Sequence, residues 1–368
     1  MEYLLILLNN TLLPNQLYRM ADCRDDFKLL FENTYISAKW NNERIYTEMI
    51  SFLNKVISFI PEKLYRYRKI DEYTLRSFEN GTISVCKAKC FSDKYDSLIY
   101  VNVDSLVAEM RNYLGDALKY VIDDIKQKNP QLRAEKAARI CLYLEQGMTE
   151  NEVVDRVLTE ECSEYLNGVR RELKQREGRF RDSDKTARIA CFTENVQSKY
   201  MWDTYAGGYS GFALEYDLRE LFNKCFHMCI PAYVFPIIYS DERPDLTRDE
   251  ANHYVFQEAQ EKGWLKRLEP IRPFLDINLL SGHKPFLYKD KEEYGHEKEW
   301  RILYYDENSC EDYIEIPDDG CLKAIFYGMD IKPEDYEMLH QIAVKKGIKE
   351  YKVSIDEDSP RYSLKINL

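Results

Sequence analysis

The stretch HEKEWRILYY, residues 296–305, places charged side chains at every second position. Because successive side chains of a β-strand point to opposite faces, a strand here puts Glu297, Glu299 and Arg301 on one face. The residues expected on the other, core-facing side are Trp300, Ile302 and Tyr304. The charged face is either a solvated sheet surface or a wet cleft, and spacing alone favours the solvated surface. In a cleft, one glutamate can stabilise positive charge developing on a sugar while the other orients an attacking group.

The surrounding sequence predicts further strands and well-delimited helices. DEYTLRSFENG is typical of a short helix with Asp71 near its start and Asn80-Gly81 at its end. KPEDYEMLHQIAVKKG predicts another helix, with Asp335 near its start and Gly347 just after its end. CIPAYVFPIIYS is an apolar strand with two prolines, which indicates an edge or irregular position in a sheet.

These elements group into three regions along the chain. Residues 1–60 form an expected N-terminal helical segment, with helical spacing from about residue 20. Residues 61–104 and 186–368 carry the strands and form the expected core domain. Residues 105–185 have a strong helical period and are expected to be an all-helical insertion. The predicted fold class is therefore α+β, with a mostly antiparallel sheet whose strands are separated in sequence by the insertion.

Composition limits the classes of function and compartment. The 368 residues carry a formal net charge of −12, so broad, non-specific nucleic-acid binding is disfavoured, although a local basic cleft remains possible. The ten cysteines include no paired CxxC array. The N-terminus lacks the features of a signal peptide, and no stretch approaches a membrane-spanning length. We therefore expect a cytoplasmic protein with reduced thiols that does not enter a membrane.

The stretch LYRYR, residues 64–68, alternates like a strand. Its period places Arg66 and Arg68 on one face, with Tyr65 and Tyr67 on the other. Arginines on a strand suit bidentate recognition of a phosphate or carboxylate. The alternative is pairing across the sheet with acidic neighbours such as the two glutamates of the opening stretch, and the two interpretations are compatible.

A third stretch, RIACFTENVQSKYMWDTYAGG, joins a strand to an aromatic helical turn. Thr193 falls on the same strand face as Ile189 and Cys191. Trp202 and Tyr205 lie three residues apart and are neighbours on one turn of helix. Such a pair either fills the core or forms a platform for a planar ring, and its spacing alone favours the core.

Metal-binding and phosphate-loop motifs have little support. Cys225, His227 and Cys229 in CFHMC lack a second ligand pair at suitable spacing, unless folding brings Cys86 and Cys90 close. No metal site is therefore predicted. The chain contains neither GxGxxG nor GxxxxGK[ST], so Rossmann and P-loop folds are excluded.

The order of these stretches resembles the bacterial domain of unknown function 2971 family. The resemblance rests on LYRYR, ENGTI, CFSDKYDS, IACFTE, MWDTYAGGYSGFALEYD and EKEWR, and it runs from about residue 64 to about residue 305. The loop at residues 91–96 departs from the family pattern, because it lacks the usual asparagine and proline.

The order is also similar, more loosely, to the arginine–serine–glutamate pattern of ADP-ribosyltransferases. That likeness implies an ADP-ribosyltransferase-like split sheet and NAD as the substrate. It assigns Arg66 or Arg68 to the NAD pyrophosphate, Thr193 to bracing the site, and Trp202 or Tyr205 to stacking on nicotinamide. Glu299 would bind the nicotinamide ribose and Glu297 would orient the acceptor. The further residues expected at the nucleotide are Tyr65 and Arg301.

Three functions of different classes follow. The first is an enzyme that cleaves NAD at the nicotinamide–ribose bond and transfers ADP-ribose to an unknown protein or nucleic-acid acceptor, in anti-phage defence or as a toxin. The second is a non-catalytic module that uses the same cleft to sense a nucleotide or a phage-derived ligand. The third is a metal-dependent hydrolase or nuclease built on Glu297 and Glu299.

Overall fold

The computed structural model describes residues 23–127, 135–175, 187–227, 232–261, 278–306 and 308–368. The helices are α1 (Cys23–Asn33), α2 (Asn42–Phe59), α3 (Glu72–Asn80), α4 (Val103–Lys126), α5 (Glu135–Glu145), α6 (Glu150–Val157), α7 (Ser163–Gln175), α8 (Lys199–Tyr205), α9 (Leu218–His227), α10 (Thr247–Glu261), α11 (Lys284–Leu287), α12 (Lys291–Tyr294) and α13 (Pro333–Lys346). A π-helical turn, Leu158–Cys162, joins α6 to α7.

The strands are β1 (Leu64–Arg68), β2 (Thr82–Cys86), β3 (Ala187–Thr193), β4 (Phe212–Tyr216), β5 (Ala232–Pro236), β6 (Ile238–Ser240), β7 (Tyr288–Asp290), β8 (Glu299–Tyr305), β9 (Tyr313–Pro317), β10 (Leu322–Tyr327), β11 (Lys349–Ile355) and β12 (Leu364–Asn367). Two of them, β6 and β7, form a separate parallel pair. The others form one sheet in which the described pairs are antiparallel except β10 with β11. The predicted α+β class with a mostly antiparallel sheet is confirmed.

The sheet divides at β3. Along one edge, β3 pairs with β8 from Ala187 opposite Tyr305 to Thr193 opposite Glu299. Along its other edge, β3 meets β1 at Thr193 and β2 at Ile189. One arm of the sheet continues from β1 through β4, β10, β11 and β12, and the other from β2 to β9. The residues of β1 and β2 that face each other therefore border a gap that none of the described strands fills.

Local signals set the ends of several elements. Asp71 caps α3 and forms a reciprocal capping box with Thr74, while Gly81 ends the helix in the left-handed region. Gly347 ends α13 in the same way. Strand β5 pairs only with β8 among the described strands, so Pro236 lies at an edge, where a missing N–H is tolerated. The helix predicted from about residue 20 is two helices, α1 and α2, and residues 1–22 lie outside the described ranges.

Two hydrophobic clusters correspond to the strand-bearing and helical regions. The larger packs α1, α2 and α13 against the sheet, with Phe27, Phe235 and Trp300 among its buried residues. The second cluster fills the space between α4, α6 and α7, and it also includes Ala251 and Val255 of α10. The helices of the predicted insertion thus have their own core, completed by a later helix. The last part of the predicted insertion, residues 176–185, lies outside the described residues.

A third cluster lies on the opposite side of β1. It contains Tyr65, Tyr67 and Trp202, and the tryptophan is fully buried. Gly211 lets the turn after α8 lie against the end of β1, because a Cβ at this position would come within 2.2 Å of the carbonyl oxygen of Arg68. That close approach places α8 next to the gap between β1 and β2. Within the described ranges, none of the helices combines the length and the apolar character needed to cross a bilayer.

Candidate functional site

A cavity of about 450 Å³ occupies the place where the sheet divides. Strands β1, β2 and β3 form its floor, and α8, β7, α12 and the loop at residues 91–96 form its walls. Six of the residues predicted from sequence line the cavity: Tyr65, Arg66, Arg68, Tyr205, Glu297 and Glu299. Three others, Thr193, Trp202 and Arg301, lie behind it.

Two arginines from β1 form one end of the cavity. The Arg66 Nη2 atom donates to the carbonyl oxygen of Ser84 at 2.7 Å, and the Arg68 Nη2 atom donates to the hydroxyl group of Ser84 at 2.5 Å. The Arg66 guanidinium also lies 5.5 Å from the centre of the Phe192 ring. Among the described residues, no carboxylate is within ion-pair distance of either arginine, so the expected alternative of pairing with the glutamates is not what the structure shows.

The two arginine charges act on each other. Burial, and then the neighbouring charge of Arg68, lower the pKa of Arg66 to about 9. Burial likewise lowers the pKa of Arg68. With a pKa of about 9, Arg66 is still protonated at neutral pH. This end of the cavity is therefore a positively charged surface, on which Asp71 acts at longer range by raising the pKa of Arg68.

The two glutamates lie at the other end, but they do not alternate along one strand. Strand β8 begins at Glu299, whereas Glu297 ends a 3₁₀ turn, Gly295–Glu297. Between them Lys298 adopts a left-handed conformation with φ near 50°. The prediction that Glu297, Glu299 and Arg301 share one strand face is thus wrong for Glu297. The left-handed residue redirects the chain, and both carboxylates still reach one point.

That point is the ammonium group of Lys289 on β7. Its Nζ atom lies 2.7 Å from Glu297 Oε2 and 3.0 Å from Glu299 Oε2. The side chains of the three residues are at most 7% exposed. The lysine also lies 4.0 Å from the centre of the Tyr294 ring. Sequence reasoning missed Lys289, because it stands in no motif and only the fold brings β7 against the start of β8.

Arg301 is held by acids of the protein. Its guanidinium forms a bidentate pair with Asp96, at 2.5 and 3.0 Å, and its Nε donates to Glu299 Oε1 at 2.7 Å. It also donates to the Phe286 carbonyl oxygen at 2.9 Å and is fully buried. The expected contact of Arg301 with a nucleotide is therefore corrected, because these groups screen it from the cavity. Asp96 lies in the loop that departs from the family pattern, which hid this role.

These contacts determine the charge state of the glutamate end. Burial by itself would raise the pKa of Glu299, but the charges of Arg301 and Lys289 hold it well below its usual range. Burial opposes the charged form of Lys289, yet Glu299 and Glu297 raise the pKa of its ammonium group. Glu299 is therefore a carboxylate at neutral pH and serves as a charge or hydrogen-bond acceptor rather than as a general acid.

The two predicted aromatic residues of α8, Trp202 and Tyr205, have different positions. The ring of Tyr205 is 39% exposed at the cavity, and its hydroxyl donates to Glu297 Oε1 at 2.8 Å. Trp202 is buried, donates to the Val196 carbonyl oxygen at 2.8 Å and packs edge-on against Tyr67. The proposed nicotinamide contact of Trp202 is thus corrected, since this ring is core. Tyr205, unlike Trp202, lines the cavity and is available for stacking.

Several buried groups behind the cavity fix the start of β8. The Thr193 hydroxyl donates to the Glu297 carbonyl oxygen at 2.6 Å. The Glu299 N–H donates to the Tyr239 hydroxyl at 2.8 Å. From α1, Arg24 donates to the Glu299 carbonyl oxygen at 3.2 Å and to Glu194 at 2.7 Å. Sequence patterns gave no signal for the roles of Tyr239 and Arg24, which depend on contacts between elements far apart in the chain.

No metal site emerges from the part of the chain that the structure describes. No group of three or more His, Cys, Asp or Glu residues there is arranged to hold an ion. Cys225 is buried in α9, and Cys229 lies outside the described residues. Cys86 is a free thiol in the cavity wall, and burial raises its pKa to about 11, so it is not poised as a thiolate.

Comparison with known proteins supports part of the family resemblance. The sequence model of a protein family of unknown function, DUF2971, matches residues 201–302. The matched segment contains Tyr205, Lys289 and the two glutamates, whereas Arg66 and Arg68 precede it. The chain matches no curated protein and no solved structure. Over this segment, the chain is similar to proteins of the DUF2971 family.

Proposed function

We propose that the protein binds NAD or a closely related nucleotide and cleaves it at the nicotinamide–ribose bond, with transfer of ADP-ribose to an acceptor. The observation that carries the proposal is the pairing of two charge types in one cavity. Arg66 and Arg68 offer positive charge without an ion-pair partner among the described carboxylates at one end, and Glu297 and Glu299 supply carboxylates at the other. A ligand with a diphosphate and a sugar that develops positive charge matches both ends.

In this proposal the arginines bind the diphosphate. Guanidinium groups recognise phosphate oxygens through strong, charge-assisted hydrogen bonds. Arg66 and Arg68 are already oriented by their contacts with Ser84, so binding would cost little side-chain entropy. Holding the diphosphate fixes the reacting sugar carbon relative to the carboxylates, which lowers the entropic part of the barrier.

Glu299 would act on the ribose. Breaking the bond to nicotinamide builds oxocarbenium charge on the sugar, and a fixed carboxylate stabilises that charge more than it stabilises the ground state. Glu299 fits this role because it is ionised at neutral pH and is held by Arg301 and Lys289. Glu297 would orient the acceptor, and the exposed ring of Tyr205 would stack on the nicotinamide.

The size of the cavity is compatible with such a ligand. Small-molecule and cofactor sites commonly enclose about 300–1,000 Å³, and this cavity encloses about 450 Å³. The part of the ligand near the arginines would lie over β1 and β2, on the floor of the cavity. The acceptor would approach from the side of α8, where Tyr205 is exposed.

A second candidate is a module that binds the nucleotide without turnover. The observation that favours it is the contact of Lys289 with both glutamates, because each carboxylate oxygen of the pair already has a protein partner. A ligand hydroxyl would have to share these oxygens or displace the lysine. For the metal-dependent hydrolase, the described residues provide no favouring observation.

One experiment separates the two candidates. The protein is incubated with NAD labelled in the nicotinamide ring, with and without cell lysate as a source of acceptor, and released nicotinamide is measured. We expect release by the wild type and a loss of about 100-fold or more in kcat for Glu299→Gln, as is typical when a preorganised stabilising group is removed. Glu292→Gln, which removes an exposed carboxylate from α12, is the matched control and should retain wild-type turnover.

The outcomes have distinct meanings. Release that disappears in Glu299→Gln while binding of NAD persists supports the enzyme. Binding of NAD by the wild type without any release supports the sensing module. Absence of NAD binding, measured by calorimetry on the full chain, rejects the proposed site.

A further inference from the structure

The ammonium group of Lys289 is the point on which both candidate glutamates converge. Its distances to Glu297 and Glu299, 2.7 and 3.0 Å, place two like-charged carboxylate oxygens against one cation. Because both oxygens contact the same nitrogen, they lie at most 5.7 Å apart, the sum of the two distances 2.7 and 3.0 Å. All three side chains are buried, so water screens the repulsion between the carboxylates weakly.

The lysine is placed by a small sheet that also supports Glu299 directly. Strands β6 and β7 pair in parallel, with Tyr239 opposite Lys289. The Tyr239 hydroxyl accepts the backbone N–H of Glu299 at 2.8 Å. The Tyr294 ring of α12 covers one side of the Lys289 ammonium group, with the ring centre 4.0 Å from the Nζ atom. Two neighbouring strands outside the main sheet therefore control both the backbone and the side chain of Glu299.

We propose that Lys289 is a positioning residue that keeps Glu297 and Glu299 together and fixed at the sugar-binding end of the cavity. The inference deepens the proposed function and rests on it for its catalytic consequence. Its electrostatic consequence stands separately. Lys289 is not assigned contact with the reacting atoms; it acts through the two carboxylates that it binds.

The charge balance explains why the lysine is needed. Burial favours the protonated form of a carboxyl group, and a second carboxylate nearby favours it further. Arg301 compensates only the Oε1 side of Glu299 and is shared with Asp96. Without Lys289, the pair would lower its repulsion by sharing a proton, as two adjacent carboxylates do. A shared proton would leave one of the glutamates neutral.

Other groups face the pair and are part of any change with pH. The charged groups are Arg24, Asp96 and Arg301. The uncharged titratable groups are Cys191, Tyr205, Tyr239 and Tyr294. Burial is the largest of the effects that raise the pKa of each of the last four groups. They stay protonated at neutral pH, so a new titration that appears when the lysine is removed would come from the carboxyl groups at this end of the cavity.

The test uses three variants of the full chain. Lys289→Met removes the charge and keeps the length of the side chain, and Lys289→Arg keeps the charge with a different shape. Lys291→Met removes an exposed lysine from α12, two residues away, and serves as the matched control. For each variant, kcat and KM for release of nicotinamide from NAD are measured between pH 5 and pH 9.

We expect Lys289→Met to lower kcat about 100-fold at neutral pH, the scale found when a group that positions the reaction is lost. KM should change less, because the arginines that bind the diphosphate are untouched. The rate should also rise with pH through a new apparent pKa above the ordinary glutamate value. The wild type, Lys289→Arg and Lys291→Met should show no such acid limb. A wild-type rate and a flat profile in Lys289→Met would overturn the proposal, as would a faster reaction.

A second measurement keeps the inference separate from the proposed function. The side-chain carboxyl carbons of glutamate are labelled with ¹³C and titrated by NMR in the wild type and in Lys289→Met. A new carboxyl titration near neutral pH in the variant supports the role of Lys289 even if the wild type releases no nicotinamide. Unchanged carboxyl titrations refute it. If Lys289→Met does not fold, Lys289→Arg decides: a lowered kcat with a flat pH profile supports the proposal, and a new acid limb contradicts it.

Discussion

The two ends of the cavity differ in whether their charged side chains have oppositely charged partners within the protein. At the end formed by β1, Arg66 and Arg68 lie side by side, both donate hydrogen bonds to Ser84, and Arg66 also lies against a phenylalanine ring. At the other end, Lys289 and Arg301 compensate the carboxylates of Glu297 and Glu299, with Asp96 as a further acid. At the first end no described carboxylate forms an ion pair with the arginines, whereas at the second end each of the three carboxylates contacts a cation.

The difference shows how each end would work. An uncompensated pair of buried cations is unfavourable for folding and gains most when an anion arrives. A closed network of alternating charges orients its members before any ligand binds, which is what stabilisation of a transition state requires. The structure thus suits binding at the arginine end and preorganised chemistry at the glutamate end. Substitutions at the two ends should accordingly have different effects on stability and on affinity.

The largest effect is expected at the closed end. Arg301→Met leaves Asp96 and Glu299 buried without their shared cation, and breaking a buried pair in this way costs about 3–5 kcal/mol of the free energy of unfolding. Denaturation by urea, followed by circular dichroism, measures the loss. Arg219→Met removes the partly exposed partner of Asp217 and is the control, with an expected cost below about 1 kcal/mol. Equal losses in the two variants would mean that the network adds nothing to the fold.

The next effect concerns affinity at the open end. Arg66→Gln and Arg68→Gln should each weaken binding of ADP-ribose by about 1.5–3 kcal/mol, the usual strength of a hydrogen bond to a charged group. The free energy of unfolding should change by no more than about 1 kcal/mol, because loss of a bond to Ser84 is offset by relief of repulsion. Calorimetric titration and urea denaturation provide the two numbers. The exposed Arg76→Gln should bind as the wild type does.

Comparison of the two single variants also tests which arginine contacts the ligand. A larger loss of affinity in one variant identifies the residue that binds the phosphate more directly. If the two variants lose stability but still bind ADP-ribose as the wild type does, the arginines are structural groups. That result would contradict the distinction between a ligand-binding end and a preorganised end of the cavity.

The smallest effect is a dependence of stability on acid pH. The pKa of Glu299 is lower in the folded protein than in the unfolded chain, so its contribution is present above the unfolded value of about 4.3 and is lost as pH falls. Below that pH, the unfolding free energy of the wild type should fall faster than that of Glu299→Gln, by up to about 1.4 kcal/mol per pH unit. Urea denaturation at several pH values between 2 and 7 measures both slopes. Parallel curves would show that Glu299 is not held ionised by its neighbours.

The sequence by itself determined the features that depend on neighbouring residues. The caps of α3 and α13 follow from Asp71, Gly81 and Gly347, whose side-chain or backbone properties act within one turn of helix. The alternation of LYRYR placed Arg66 and Arg68 on one face, because the period of a strand is local. The sequence alone therefore indicates the two arginines at one end of the cavity, but not the groups that they contact.

Only the tertiary structure decided how those residues are partnered. Arg301 and Asp96 are 205 positions apart in sequence, and Lys289 reaches Glu297 and Glu299 through a short strand that carries no motif. A single left-handed residue, Lys298, moved Glu297 off the strand on which its spacing had placed it. Charge compensation depends on distances of a few ångströms between elements that the sequence separates widely. For that reason the open and closed ends of the cavity became distinguishable only in the folded chain.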